Sequence, residues 1–284
     1  MKPLDHFETC FPLLEDHAHT YLNPDELKNF QSFSGKEVAR QLKNLLEKPL
    51  AEFTSVNEAY FRARWAELLR LLHPGEDLVL LEIASGDADM IPQAMARTHP
   101  KGLYITANMN KALNDSLSSK TKSLALKMNI IKDDAVRIAD YTGKGTVDVI
   151  AFQHAVNDVI QSILCDKAGI DTVHAEWMEL LPRMIELVKQ ESSRNTLAAQ
   201  VKEPFLELMR ALLGTLRSGG YVAMNHYLFQ LDLDWGYPPD VFEHMIPMTR
   251  EWLRELKSCR EITLDGFDSQ WWIILQKIES EPSY

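Results

Sequence analysis

Leu80-Leu81-Glu82-Ile83-Ala84-Ser85-Gly86-Asp87-Ala88-Asp89-Met90 is the stretch from which the rest of the chain is read. It has three parts of different physical character. The apolar run Leu78 to Ala84, with Pro74-Gly75 in front of it and small residues behind, has the composition of a strand buried on both faces. Glu82 near its end is placed to accept a hydrogen bond from a cationic or amino group. Ala84, Ser85 and Gly86 then form a turn with almost no side chain, so the backbone can come close to a ligand. Met90 to Thr98 has helical spacing, and a helix that starts there offers free amide N–H groups to the same space. An ordinary strand-to-helix turn has the same outline, so the neighbouring segments carry the decision.

Apolar runs recur at Gly102 to Ala107, Leu124 to Ile131, Val147 to Phe152 and, after Gly219-Gly220, Tyr221 to Asn225. Lys111 to Ser119 is helical between the second and third. Strands alternating with helices imply right-handed crossovers and a mainly parallel sheet. Val241 to Leu256 reads as a helix. Glu261 to Leu264 and Trp271 to Ile278 then read as strands joined by Asp265-Gly266-Phe267-Asp268-Ser269, a connection short enough only for a hairpin. Trp271 and Trp272 are expected on opposite faces of that hairpin. The predicted fold is α/β, a doubly wound, mainly parallel seven-stranded sheet with an antiparallel last strand.

The gap between strands four and five, residues 154–218, exceeds the dozen or so residues a crossover needs. Two helical patterns fill it, Val173 to Gln190 and Thr196 to Leu216, and residues 155–218 are read as a helical insertion. Ahead of the sheet, Leu27 to Glu47 and Val56 to Leu72 have helical spacing, the second with Ala59, Phe61, Trp65, Leu68, Leu69 and Leu72 on one face. The expected division is a helical cap over residues 1–75 and a sheet domain over 76–284. Cap and insertion together are expected to roof the carboxyl ends of the strands, where open α/β sheets bind ligands.

Of the 284 residues 45% are hydrophobic, enough to bury a substantial core and to exclude a disordered chain. The net charge of −11 repels a phosphate backbone and argues against general nucleic-acid binding. No apolar window approaches ~20 residues, so no membrane span is expected. Cys10, Cys165 and Cys259 are scattered and odd in number, which predicts free thiols. With no signal-like apolar run at the start, a cytoplasmic location is expected. His17 and His19 at i, i+2 point to different sides of a helix, and no metal site is expected from them.

Glu82 to Ala88 resembles the first motif of the class I S-adenosylmethionine-dependent methyltransferases, acidic-x-Gly-x-Gly-x-Gly, with Gly86 kept and Ala84 and Ala88 at the outer glycine positions. Leu213-Gly214-Thr215-Leu216-Arg217-Ser218-Gly219-Gly220-Tyr221 resembles that family's turn before strand five, with Ser218 where proline is common. The resemblance covers residues 56–280 and implies S-adenosyl-L-methionine as cofactor, bound by Glu82, Ala84, Ser85 and Gly86. It places Asn108, with Met109 beside it, where the family has an acidic residue on the ribose hydroxyls. Asn108 equally reads as a cap of the next helix. After strand three the resemblance assigns Asp134, and less well Asp133, to the adenine amino group and the Ala135 amide to a ring nitrogen. A solvated acidic loop is the other reading there. Asp148 resembles the acidic residue that opens strand four, away from the site.

Phe152, Gln153 and His154 emerge, on the same resemblance, beside the methionine part of the cofactor. His154 and His226, at the carboxyl ends of strands four and five, are the candidate bases, since imidazole titrates near neutrality. Each also reads as a hydrogen-bonded structural residue. Asn157, with Asp158, is a candidate for substrate contact or for a helix cap. Asp232, Asp234, Trp235 and Tyr237 suit an amine or aromatic acceptor through ion pairing and cation–π contact, or form a mixed surface loop. The expected activity is methyl transfer to O or N of a small molecule, in line and under the helical lid. The expected partners exclude nucleic acid and membrane and allow a homodimer. Two alternatives stand beside it. Asn108 in place of an acid admits a cofactor-binding relative that isomerises or cyclises its substrate. The lack of an evident base admits a non-catalytic homologue that stabilises a partner.

Overall fold

The computed structural model describes residues 54–278 apart from 74, 228 and 229, and Pro24 and Lys28 ahead of them. His17, His19, Cys10 and most of Leu27 to Glu47 lie outside the described residues. Seven strands form one sheet, β1 (Val79–Ile83), β2 (Leu103–Ala107), β3 (Lys127–Ile131), β4 (Val147–Gln153), β5 (Leu216–Asn225), β6 (Cys259–Glu261) and β7 (Trp272–Lys277). Their order across the sheet is β3-β2-β1-β4-β5-β7-β6, parallel except for β7, which runs antiparallel to both neighbours. The mainly parallel seven-stranded sheet with an antiparallel last strand is therefore present, and that last strand inserts between β5 and β6.

Period-two alternation splits the core into the two faces of this sheet. Leu80, Val149, Ala151, Ala223, Trp272 and Ile274 pack against Trp65, Leu68 and Leu69 of α1 (Thr54–Leu72) and Ile91, Ala94 and Met95 of α2 (Met90–Thr98). Leu81, Ile83, Ile150, Phe152, Val222, Met224 and Ile273 face the other way. After β2 comes α3 (Lys111–Thr121), and after β3 the short α4 (Ala139–Thr142). The second face is covered by α5 (Val156–Lys167), α7 (Leu197–Thr215) and α9 (Pro239–Leu253). α1 thus differs from its expected place in the roof. Its wide apolar stripe buries itself on a sheet face, and among its described side chains Phe61 reaches the cavity.

Three helices, not two, separate β4 from β5: α5, α6 (Trp177–Ser193) and α7. α5 escaped the sequence reading because Asn157 and Gln161 are buried along with Val156, Ile160 and Leu164, which blurs the 3.6-residue period. α5 and α7 are crossover helices. Among the described residues the roof is α6 with the loop at 168–176, held by its own small core of Cys165, Ile170, Leu181, Met184, Ile185 and Tyr237. Strand β5 begins earlier than expected, at Leu216, and Arg217 to Gly220 form a bulge between the pairs Val147–Leu216 and Val149–Tyr221. A Cβ on Gly220 would lie 2.9 Å from the Asp148 carbonyl oxygen, so only glycine fits there. Trp271 and Trp272 do not straddle the hairpin. Trp271 precedes the strand and stacks on Tyr227, on the same side as buried Trp272, whose Nε1–H donates to the Tyr227 hydroxyl. No described helix is long and apolar enough to cross a membrane.

Candidate active site

A cavity of about 1090 Å³ opens at the carboxyl ends of β1, β2 and β4, beneath α6. One wall is the turn after β1. Ala84 and Gly86 both take left-handed backbone conformations, with φ +51° and +56°. At Ala84 this costs of order 1–3 kcal/mol, a strain held by the surrounding fold. At Gly86 it costs little, and the nearest atom to a Cβ built there is Leu113 Cδ1 at 4.0 Å. The space beside Gly86 is open and belongs to the cavity. Buried Ser85 shares a 2.8 Å hydrogen bond between its hydroxyl and that of Thr106 on β2.

Asn108 lines the same wall, and its side chain braces it. Nδ2 donates to the Gly86 carbonyl at 3.1 Å and Oδ1 accepts the Asn110 N–H at 3.1 Å. Asn110, not Asn108, caps α3, through Oδ1 to the Leu113 N–H at 3.2 Å. Its Nδ2 donates to the carbonyls of Thr172 and Ala175 at 3.3 and 3.0 Å, which ties the roof loop to the end of β2. Sequence reasoning passed over Asn110. An asparagine three residues before the Leu113 amide was the available cue. Asp133 is held by the Tyr141 hydroxyl and by Arg137 at 2.8 Å, and these contacts keep its carboxyl below the ordinary range. Asp134 caps a one-turn 3₁₀ helix at Ala135–Arg137, its Oδ1 accepting the Val136 N–H at 2.9 Å. Met109, Asp134 and Ala135 all reach the cavity.

Glu82 and His226 do not line it. Glu82 is on the α1 face of β1, buried, and accepts the Tyr104 hydroxyl at 2.7 Å. Burial pushes its carboxyl up to about 8, against the Tyr104 hydrogen bond and with the help of the Asp89 charge. His226 is buried behind His154, the two rings stacked 4.6 Å apart at 8°. Desolvation first, and the His154 charge second, keep it well below the usual imidazole range, so it is neutral.

His154 faces the cavity in a left-handed conformation with φ +52°. Its backbone N–H is gripped by the Asn225 carbonyl and Oδ1, each at 3.1 Å. The Tyr227 N–H donates to its Nδ1 at 3.3 Å, so the neutral ring carries its proton on Nε2, which lies 3.7 Å from Asp232 Oδ2. Gln153 accepts from Trp65 Nε1 and from Asn225 Nδ2 on the same oxygen, leaving its Nε2 amide for the cavity.

Beyond His154 the wall turns acidic. Asn157 and Asp158 sit in the first turn of α5 and cap nothing, since the residue before α5 is Ala155 and no side chain caps it. Asp232 on the five-residue α8 (Gln230–Asp234) and Tyr237 close the other side. Burial, with Asp232 adding to it and His154 opposing, raises the Asp158 carboxyl to about 6. The Tyr237 hydroxyl accepts from Gln161 Nε2 and from Asn157, and burial pushes it up. Trp235, 41% exposed, stands at the rim. Among the described residues no group of three or more His, Cys, Asp and Glu could hold a metal ion.

A ligand cavity at the carboxyl edge of a sheet ordered β3-β2-β1-β4-β5-β7-β6, walled by a Gly86 turn, is the architecture of the class I methyltransferases, and that is the fold of this chain. No protein-family model and no curated protein matches the sequence. Solved structures match the fold. A Methanococcus maripaludis protein provisionally named an S-adenosyl-L-methionine-dependent methyltransferase superposes with a TM-score of 0.51 at 14% identity, over 81% of this chain and 91% of its own. A SAM-dependent methyltransferase from Aquifex aeolicus gives 0.48 at 13% identity, over 75% and 88%. A Clostridium thermocellum protein provisionally named an rRNA methylase gives 0.46 at 10%, over 77% and 96%.

Proposed function

We propose that this chain transfers a methyl group from S-adenosyl-L-methionine to an oxygen or nitrogen of a small molecule. The observation that carries the reading is the turn after β1. Its left-handed Gly86 leaves open, on the cavity side, the volume a Cβ would take, where a ligand has to meet backbone. The other residues on that wall suit the cofactor. Asn108 retains one amide hydrogen and one lone pair for hydroxyl groups, with Met109 beside it. Asp134 keeps Oδ2 without a partner among the described residues, next to Ala135 and Asp133. Ala84, Ser85 and Gln153 complete the contact surface, with Glu82 buttressing the turn from below through Tyr104. The cofactor supplies a methyl group already activated by positive sulfur, so the protein's work is to hold donor and acceptor in line and keep water out.

The roof of α6 and its loop performs the exclusion, pinned by Asn110. Where the acceptor carries a proton, His154 and Asp232 are the groups that meet it. With Nδ1 committed to the Tyr227 N–H, His154 presents Nε2–H towards the Asp232 carboxylate, which takes the proton while the imidazole steadies it. His226 is a positioning residue that fixes the His154 ring plane from behind. A net charge of −11 and acidic cavity walls favour a small acceptor over a polyanion. Isothermal titration calorimetry with S-adenosylhomocysteine tests the reading. Wild type binds, and Gly86→Val, strained at φ +56° and filling the open space, loses at least tenfold in affinity while remaining folded. Equal binding by a folded Gly86→Val, or none by wild type, refutes it.

A further inference from the structure

The side-chain amide of Gln153, at the end of β4, has its orientation fixed from outside the cavity. The His154 backbone N–H can only donate. It meets Asn225 Oδ1 at 3.1 Å, so that oxygen faces His154 and Asn225 Nδ2 faces away from it. Nδ2 donates to Gln153 Oε1 at 2.8 Å. The Trp65 indole N–H, again a donor only, reaches the same oxygen from α1. Turning the Gln153 amide over would set N–H groups against both donors, and Asn225 could not turn in compensation without meeting the His154 N–H. Asn225 and Trp65 are each 0% exposed and neither lines the cavity, whereas Gln153 does. Gln153 Nε2 has no hydrogen-bond partner among the described residues and keeps accessible surface, so its two N–H groups stand open to a ligand.

A donor fixed in this way selects an acceptor atom, and a carboxylate most strongly. The described lining of the cavity offers an anion little else. Its one lysine, Lys167, donates to the carbonyl and side-chain oxygens of Gln200, and His154 faces Asp232. The remaining charged groups of that lining are carboxylates. An anion in such a place is held only where neutral donors are aimed at it, and a reversed Gln153 would repel it with Oε1. S-Adenosyl-L-methionine carries one carboxylate, on its amino-acid end. We propose that Asn225 and Trp65 are positioning residues that hold Gln153 as a one-way donor to the carboxylate of the cofactor. They act without touching the ligand, by deciding which end of the amide it meets. The Asn225 carboxamide also helps to hold His154, the next residue, at its left-handed φ of +52°. The inference rests on the methyl-transfer reading for the identity of the cofactor.

The test compares S-adenosylhomocysteine with 5′-methylthioadenosine, a nucleoside thioether that lacks the amino-acid end, by calorimetry. Wild type is expected to prefer S-adenosylhomocysteine by about tenfold or more. Gln153→Glu keeps an oxygen for Trp65 and Asn225 and replaces the donor by a second oxygen. It should abolish the preference, by weakening S-adenosylhomocysteine far more than 5′-methylthioadenosine. Asn225→Leu keeps the volume and the backbone carbonyl that the His154 N–H also meets, and lowers the preference several-fold. Trp65→Phe does the same from α1, and serves alone should Asn225→Leu fail to fold. A merely structural role would weaken both ligands alike and leave their ratio unmoved. Equal binding of the two ligands by wild type overturns the proposal. So does a Gln153→Glu variant that keeps the preference, and so do Asn225→Leu and Trp65→Phe variants that lower both affinities together. Each of these results leaves S-adenosylhomocysteine bound by wild type and the methyl-transfer reading standing. A wild type that binds neither ligand overturns both.

Discussion

Replacing Glu82 by Gln should change how the stability of this protein depends on pH. The native carboxyl is raised from 4.5 to about 8, chiefly by burial, with the Tyr104 hydroxyl opposing the rise and the Asp89 charge adding to it. Between those two values the folded chain holds a proton that the unfolded chain has released. A group raised in this way contributes fully below the lower value, and its contribution is lost as pH climbs towards the upper one. The gap corresponds to roughly 4–5 kcal/mol across that window, as an upper bound, at 1.36 kcal/mol per pH unit. That is comparable with the whole stability of an ordinary domain, about 5–15 kcal/mol. Glutamine keeps the shape and an acceptor oxygen for the Tyr104 hydroxyl, now 2.7 Å from Glu82 Oε2, and removes the titration. Its new amide hydrogens need partners and cost about 1–2 kcal/mol at every pH. The signature is therefore the slope, not the level. Urea unfolding of wild type and Glu82→Gln should be followed from about pH 5 to about pH 8.5. The Asp158 carboxyl, raised to about 6, slopes the same way at the lower end, but it is common to both proteins and cancels in the difference. The variant should be the less stable at pH 5 and the more stable above pH 8, the curves crossing between. Parallel curves would mean that Glu82 is ionised in the fold, and the account of the β1 end would fail.

Asn108→Asp loses the amide donor that latches the Gly86 carbonyl and sets a carboxylate against it, so thermal unfolding should show a loss of about 1 kcal/mol. S-Adenosylhomocysteine affinity in that variant should stay within about threefold of wild type, because the charged acceptor for hydroxyls offsets the loosened turn; an unchanged melting temperature would show that the latch carries nothing. Asn110→Ala removes a helix cap and both ties to the roof loop, and hydrogen exchange at the amides of residues 168–176 should accelerate while β1 and β4 stay protected. His154→Gln should lower turnover by a hundredfold or more with little change in cofactor affinity, whereas His226→Gln, acting only through the ring it stacks on, should cost less and also shift the pH profile. Equal losses in the two histidine variants would contradict the assignment of one to the cavity and the other behind it.

Some of the site was written locally. The turn at Ala84-Ser85-Gly86, the acids at Asp133-Asp134 and the Gly219-Gly220 approach to β5 are runs of neighbours in sequence, and their chemistry follows from residue type. What lay hidden was contributed from afar. Tyr104 meets Glu82, Asn225 and Trp65 meet Gln153, and Tyr227 meets His154, across two strands or between helix and sheet. Burial among such distant neighbours raises the Glu82 carboxyl in spite of the Tyr104 hydrogen bond, and the Tyr227 N–H takes the lone pair of a predicted base. α5 was missed for a related reason. Its polar residues Asn157 and Gln161 are buried, and burial of polar groups erases the pattern by which a helix is recognised.

The sequence by itself determined the order of the strands along the chain, the mainly parallel sheet with its one reversed strand, and the small-residue turn after β1. Those depend on hydrophobic period, on connection length and on where small residues fall, all of which are local properties. Only the tertiary structure decided that α1 lies on a sheet face, that among the described residues α6 and its loop cover the cavity, that Asn110 fastens that loop, and that His226 is buried while Asp158 faces the cavity. Each of these turns on which groups lose water on packing. Desolvation and the partners found across the sheet are set by contacts between residues far apart in the chain, and no stretch of sequence contains them.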